Sequence, residues 1–410
     1  MNTSRKEFLG ALSMATAFAG CTTAGVKAGA TAAPAIKPTR FPPIRLEGLE
    51  PKPDFWQVRP SEITALCESA TKCSKKEIIC HTPLGYPVWA LFYGDFSEPA
   101  PQTNWSAGNG STTYHNYYGN RTDGKQTFLF LAGIHGAEPE TVAGAMNFIK
   151  LLETGTDFRG KADPELLDLA SKYRIIVVPC VNMDGRAISP DHLRGIDWIN
   201  FRRASQGYWK DGSLVGWRGS KSWFPLPLDK VGYPGGYPNS EGYNIMHDAC
   251  PGDLRTEEAK ALLKLAARWR VDALLNGHSY EFAPSVIKHT SIMAPANFER
   301  CKLIRYKCNC ALHEAGLLPS VPVPPEKEGA CGADININNL LALASGALAV
   351  TLECSVSYDR PDKPSSGSRP TRKYEFSELV DVTLITLKAF LKDGIEKPFL
   401  VRGSEKIYGD

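Results

Sequence analysis

The residues best suited to chemistry stand where apolar runs of strand length end. His135 and Glu138 follow the run TFLFLAGI, and His278 follows VDALLNG. Glu353 closes a third run, ALAVTLE. Two imidazoles and one carboxylate form a common ligand set of catalytic zinc sites, which leave a fourth position for water. An isolated H-x-x-E motif is weak because it often arises by chance, but three strand ends that all carry such groups predict a metal site.

The elements that must position these residues alternate between strand-like and helix-like patterns. A hairpin-like segment, ICHTPLGYPVWALFYG, precedes TFLFLAG, and the helical TVAGAMNFIKLLETG follows it. Strands as apolar as RIIVVPCV and ALAVTLE need cover on both faces. The sequence therefore predicts an α/β fold with a mixed, largely parallel central sheet covered by helices on both faces. Active sites in such sheets lie at the carboxyl ends of the strands.

This arrangement resembles the zinc carboxypeptidase family, the carboxypeptidase A-like metallopeptidases. That family carries H-x-x-E, a His after a later strand, and a Glu in a strand that ends like T-[IL]-E. The segment VPCVNMDGR (178–186) is similar to its P-x-x-N-P-D-G segment, with Met183 in place of Pro, and the first hairpin is also similar. The resemblance covers about residues 60–395.

The resemblance implies one Zn²⁺ per chain, bound by His135, Glu138 and His278. It also implies that Glu353 is the general base for a metal-activated water and then returns the proton to the leaving amine. The family stabilises the oxyanion with an Arg upstream of its substrate-binding motif. Arg218, in GWRGSKSW, is the first choice for this role, and Arg194 and Arg202 are further candidates.

The part of the family pattern that recognises substrate is altered. Members that cleave at a C-terminus carry Asn-Arg in a D-x-N-R-[ND] motif, because a guanidinium grips a carboxylate with two hydrogen bonds. The segment GYNIMHDACPG places Met246 and His247 there, whereas a shifted alignment on GIDWINFRR supplies Asn200 and Arg202. His247 and Arg202 are therefore candidate substrate-binding residues. The region ACGADININNL has no match to the family's downstream Tyr.

The expected function is zinc-dependent hydrolysis of a peptide or related amide, with cell-wall peptides among the candidate substrates. A zinc amidase or deacylase of the desuccinylase and aspartoacylase type is the alternative, because no residue clearly fixes a C-terminal carboxylate. A binding protein with the same fold is a third reading. Ten aromatic residues between 198 and 243 could line a groove for sugars or peptides, or pack a long loop onto the core.

Composition narrows the set of partners. The net charge of +3 is spread without a long basic run, which argues against nucleic acid as a partner. The 43% of hydrophobic residues are typical of a globular chain that buries a large core.

The N-terminus is predicted to direct export. Residues 1–21 combine Arg5, Lys6 and an apolar run that ends in FAGC, so lipidation of Cys21 and a membrane tether are expected. An ordinary secretory signal cleaved near residues 28–30 stays open. Residues 22–50 read as a flexible tether and residues 51–402 as a single catalytic domain, with a periplasmic or cell-surface location. The ten cysteines other than Cys21 permit disulfides in an exported chain.

Overall fold

A seven-stranded sheet forms the centre of the molecule. The computed structural model of the protein describes residues 34–97, 125–250, 252–288, 295–328, 335–356 and 372–399. The strands of this sheet are β1 (Lys75–His81), β2 (Pro87–Tyr93), β3 (Thr127–Leu131), β4 (Arg174–Val178), β7 (Ala273–Tyr280), β8 (Ser285–Lys288) and β9 (Leu348–Ser355); β5 (Tyr208–Trp209) and β6 (Val231–Tyr233) form a separate pair. The strand order is β1-β2-β4-β3-β7-β9-β8, and the β4, β3, β7 and β9 strands run parallel while β1, β2 and β8 are antiparallel to their neighbours.

Helices cover the sheet on both sides, as the sequence predicts. The helices of the described residues are α1 (Pro60–Ser69), α2 (Pro139–Thr154), α3 (Pro164–Ser171), α4 (Met183–Ile188), α5 (Trp198–Gln206), α6 (Gly216–Ser222), α7 (Glu257–Trp269), α8 (Pro295–Glu314), α9 (Ile337–Ser345) and α10 (Phe376–Glu396). One side of the sheet carries α1, α2, α3, α8 and α10, and the other carries α7 and α9.

Alternation along the central strands divides the core into two layers. In β3, Phe128 and Phe130 face the layer that contains α2 and α10, while Leu129 and Leu131 face α7 and α9. All four side chains are fully buried. Because both faces of the strand are covered, its sequence is continuously apolar rather than alternating.

Local sequence signals mark where two of the helices begin and end. The Thr256 side chain accepts a hydrogen bond from the backbone N–H of Ala259 and begins α7. Gly155 ends α2 with a φ of 85°, a conformation that glycine adopts without strain.

Part of the segment expected to be a tether contacts the folded body. The backbone N–H of Lys37 donates to Leu84 and that of Ile44 donates to Ile188. Ile44 and Leu46 also pack against a small core beneath α5. The compact unit accordingly begins at Ala35. The predicted signal, Cys21 and residues 22–33 lie outside the described residues.

The cysteines of the described residues are free thiols. All nine of them, including the Cys67, Cys73 and Cys80 group and the pair in CNC at 308–310, lack a disulfide partner. The disulfides that the cysteine count permits are therefore not formed among these residues. Over the same described ranges, no helix is both long enough and apolar enough to cross a membrane.

Candidate metal centre

The structure brings His135, Glu138 and His278 together at one edge of the sheet, and we call these three residues the metal corner. The Nδ1 atom of His135 lies 2.9 Å from Oε1 of Glu138, and Nδ1 of His278 lies 2.9 Å from Oε2 of the same carboxylate. The ligand atoms of the three residues lie within 4.8 Å of one another. All three side chains are buried.

The local chain path explains why these residues meet. His135 follows β3, and the backbone N–H of Glu138 donates to the His135 carbonyl to close a tight turn. Glu138 is the residue before α2, and Pro139 begins that helix. The carboxylate therefore stands at the positive end of the helix dipole, where a negative charge is stabilised. Burial alone would raise the pKa of Glu138, but the two imidazoles outweigh it and hold that pKa well below its usual range.

His278 and Glu353 are neighbours on adjacent parallel strands. The register of β7 and β9 pairs His278 with Glu353 directly. Paired residues of parallel strands project from the same face of a sheet, so the side chains of Glu353 and His278 leave the sheet on the same face. Glu353 is half-buried, whereas His278 is buried. The two residues predicted from the strand ends are therefore paired in the sheet, and the role of Glu353 stays a prediction.

Two residues that sequence reasoning missed hold His135. Asn244 places its Oδ1 atom 3.2 Å from Nε2 of His135, so that nitrogen donates and Nδ1 is left as an acceptor. The Tyr237 ring stacks on the other side of the imidazole, with ring centroids 3.9 Å apart and an interplanar angle of 8°. Asn244 lies in the GYNIMH segment, two residues before Met246, but its contact with His135 follows no periodic pattern.

A buried arginine holds the turn between His135 and Glu138. The Arg186 side chain donates through Nη1 to the Gly136 carbonyl at 2.7 Å and through Nη2 to the Ser189 carbonyl at 2.9 Å. A Cβ atom on Gly136 would lie 2.2 Å from the backbone nitrogen of Arg186, so only glycine fits between these two loops. The VNMDGR segment therefore packs against the turn that joins His135 to Glu138.

The donor set of the metal corner fits Zn²⁺. Two imidazole nitrogens and one carboxylate match the ligands of catalytic zinc sites, and both Nδ1 atoms face the Glu138 carboxylate. Asn244 fixes the tautomer of one imidazole, which is the outer support that such sites use. The Ser279 backbone N–H adds a hydrogen bond of 3.1 Å to Oε2 of Glu138.

Arg202, a predicted substrate-binding residue, and Arg218, the predicted oxyanion residue, lie on two short helices. We call Arg202, Trp198, Trp217 and Arg218, on α5 and α6, the recognition rim. The Arg202 side chain donates through Nη2 to Oε1 of Glu281 at 2.7 Å. The Trp217 ring meets Tyr237 edge-on at 6.1 Å, and Arg218, the next residue, is exposed. No contact of the Arg218 guanidinium with the metal corner is observed in the part of the chain that the structure describes.

The other candidates have structural partners. Arg194 is buried in ion pairs with Glu50 and Glu375, so its guanidinium is committed to joining the two ends of the domain. The Asn200 side chain donates to Asp197 at the start of α5.

The two positions aligned with the family's Asn-Arg pair lie in a short 3₁₀ turn, Ile245–His247. Met246 is buried in the core, with its sulfur 3.6 Å from Nδ2 of Asn276. His247 is half-buried, and its backbone N–H donates to the Asn244 carbonyl. The described contacts do not place either side chain in the metal corner.

Comparisons with known proteins agree with this architecture. The family model described as "Zinc carboxypeptidase" matches residues 63–312, more than half of the chain. The matched residues include the metal corner and end before Glu353. No curated protein matches the chain.

Several solved structures are similar to the chain at low sequence identity. A metallo-carboxypeptidase from Burkholderia cenocepacia is 17% identical, with 82% of this chain and 69% of that chain covered and a TM-score of 0.48. A metallo-carboxypeptidase from Pseudomonas aeruginosa, in complex with (2-guanidinoethylmercapto)succinic acid, is 13% identical, with coverages of 82% and 68% and a TM-score of 0.48. Bovine thrombin-activatable fibrinolysis inhibitor, in complex with tick carboxypeptidase inhibitor, is 14% identical, with coverages of 83% and 99% and a TM-score of 0.45.

The family match and the metal corner define a hydrolase of the zinc peptidase type. The chain belongs to the zinc carboxypeptidase family.

Proposed function

We propose that the protein hydrolyses a peptide or related amide bond at the metal corner, with Glu353 as general base and then general acid. The observation that carries this proposal is the pairing of Glu353 with His278 in the β7–β9 register, beside two imidazoles that share the Glu138 carboxylate. Glu353 is half-buried, so the residue keeps part of its surface accessible to solvent.

The roles follow from the chemistry of each group. Zn²⁺ bound by His135, Glu138 and His278 would lower the pKa of a water ligand and polarise the scissile carbonyl. The Glu353 carboxylate accepts the proton of the attacking water and delivers it to the nitrogen of the leaving amine. Arg218 is exposed on the recognition rim and is our first candidate for stabilising the oxyanion of the tetrahedral intermediate.

Metal analysis combined with a Glu353→Gln variant tests this function. We expect one zinc per chain in both proteins, and a loss of activity of roughly 10²- to 10⁴-fold in the variant on a panel of peptides and acyl amides. Glu257→Gln, on the exposed face of α7, is the matched control and should keep full activity. A Glu353→Gln variant as active as its parent would remove Glu353 from the mechanism.

A second candidate function is an amidase or deacylase that needs no C-terminal carboxylate. The observation that favours it is the Arg202–Glu281 ion pair, since a guanidinium that is already neutralised is a poor anchor for a second carboxylate. Activity on N-acyl amino acids and on amidated peptides, measured with the same preparation, separates the two functions.

We also propose that the protein acts outside the cytoplasm, on the basis of Arg5, Lys6 and Cys21 in the sequence. Cell-wall peptides are then natural members of the substrate panel. Fractionation of cells that express the parent and a Cys21→Ala variant checks this location. We expect the parent with the membranes and the variant in the soluble exported fraction; a cytoplasmic parent would contradict export.

A further inference from the structure

One acidic residue beside the metal corner is not used by the proposed mechanism. Glu281 is the first residue after β7 and lies three positions beyond His278. Glu281 and the predicted metal ligand His278 therefore lie at the same end of β7. The Glu281 side chain is 20% exposed and pairs with Arg202, which is 14% exposed.

The Arg202 guanidinium is held firmly in this pair. Its Nη2 atom lies 2.7 Å from Oε1 of Glu281, and its central carbon lies 5.4 Å from the Trp198 ring centroid and 5.3 Å from that of Phe201. Cation–π contacts of this kind restrict the plane of the guanidinium. A substrate therefore meets a preformed ion pair rather than a mobile cation.

Tyr237 connects the ion pair with the metal corner. Its ring stacks on His135. Its backbone N–H donates to the Ser205 carbonyl at 3.2 Å, and Ser205 lies on α5, the helix that also carries Arg202. The helix that carries Arg202 is thus hydrogen-bonded to the residue whose ring lies against a metal ligand.

We propose that Glu281 is a specificity-determining residue that keeps Arg202 neutralised beside the metal corner and so selects substrates without a free carboxylate at that position. This inference rests on the proposed hydrolase function. A substrate carboxylate that approached Arg202 would also approach the Glu281 carboxylate, and juxtaposed like charges are an established means of rejecting a competing ligand.

A neutral amide fits the same pair without that repulsion. The Arg202 side chain keeps 14% of its surface exposed, and its guanidinium has further N–H groups besides the one that donates to Glu281, so an exposed one can donate to an amide carbonyl. Glu281 can accept from an amide N–H through its second oxygen. The chemical class selected is therefore a peptide whose C-terminus is amidated or continues past this position, or another neutral amide.

Matched peptide pairs that differ only in a free or amidated C-terminus test the proposal. The parent should have a higher kcat/KM on the amide than on the acid. Glu281→Gln should raise kcat/KM on the acid roughly 10- to 100-fold while changing the amide value little. Glu257→Gln is the control and should leave the ratio of the two values at that of the parent.

Binding provides a second readout that does not depend on turnover. Calorimetry of both peptides in the Glu353→Gln background should give the same shift in relative affinity when Glu281→Gln is added. A parent that prefers the acid, or a well-folded Glu281→Gln protein with an unchanged ratio, would overturn the proposal. Should Glu281→Gln fail to fold, the preference of the parent alone decides. Loss of the proposed hydrolase function is seen separately, as an absence of turnover on both peptides with binding retained.

Discussion

The metal corner and the recognition rim are held in different ways. The metal corner is buried. Asn244 accepts a hydrogen bond from the His135 imidazole, Tyr237 stacks on the face of that imidazole, and Arg186 donates to the turn at Gly136. The recognition rim is partly exposed, with Trp217 43% accessible. Side-chain pairs such as that of Arg202 with Glu281 hold the rim. The strand ends therefore hold the predicted metal ligands in place. The partly exposed residues on the two short helices are the ones available to determine which substrate binds.

The strongest test of this difference removes a ligand from the metal corner. Glu138→Gln keeps the shape of the side chain but takes away the charge that both imidazoles face. We expect zinc to fall from one equivalent to background and activity to vanish with it, as measured by elemental analysis and turnover on the same sample. Glu257→Gln should retain its metal. A zinc-loaded, active Glu138→Gln protein would show that the metal lies elsewhere.

A change on the recognition rim should leave zinc in place. Arg218→Ala removes the guanidinium proposed for the oxyanion, and we expect kcat to fall on the order of 10²- to 10³-fold with zinc content unchanged. Arg203→Ala is a suitable comparison, because its guanidinium lies over the Tyr208 ring, 4.2 Å from the centroid. If the two variants are equally active, the oxyanion role belongs to another residue.

The outer support of the metal corner should have a smaller, separable effect. Asn244→Ala removes the acceptor for Nε2 of His135 and should weaken zinc affinity roughly 10- to 100-fold, as measured by competition with a chelator. Asn200→Ala removes a side chain bonded to Asp197 on the rim and should leave zinc affinity as it is. Equal affinities in the two variants would mean that Asn244 does not orient the ligand.

The smallest expected effect concerns the loop that carries Tyr237 and Asn244. Asn239 lies in this loop, and its Nδ2 atom donates to Oε1 of Glu258 at 3.4 Å. Burial raises the pKa of Glu258 from 4.5 to about 7. Because the folded state holds this proton more tightly than the unfolded state, the stabilisation is fully present below pH 4.5 and is lost as the pH rises through about 7.

Glu258→Gln should therefore be more stable than the parent at pH 8, by about 1–3 kcal/mol, with the difference shrinking as the pH falls toward 4.5. Denaturant unfolding at several pH values measures this difference. A variant that is less stable at pH 8, or a difference independent of pH, would contradict the role of burial.

The sequence predicts the metal corner for a topological reason. His135, His278 and Glu353 each follow an apolar run, and the carboxyl ends of neighbouring parallel strands meet at one edge of a sheet. Glu138 comes with His135 because one tight turn joins them. The hydrophobic pattern of the strands and their succession along the chain are therefore enough to predict that these residues meet. The same patterns also predict the central sheet and the helices that cover it.

The rest of the site depends on contacts that periodicity does not encode. The Arg202–Glu281 pair joins residues 79 positions apart, and the His135–Asn244 contact spans 109 positions. Both involve the stretch between 186 and 250, whose short helices follow no regular hydrophobic pattern. Arg194 shows why such contacts are hard to predict. Its position in the sequence suits an oxyanion role, but its guanidinium forms ion pairs with Glu50 and Glu375.

Anomalous diffraction at the zinc absorption edge, on crystals of the zinc-loaded protein, tests the central claim most directly. The account predicts one zinc peak bounded by Nδ1 of His135, Nδ1 of His278 and the Glu138 carboxylate, with the Glu353 carboxylate beside it. A zinc peak held by other residues, or no peak at the metal corner in protein that retains full activity, would contradict it.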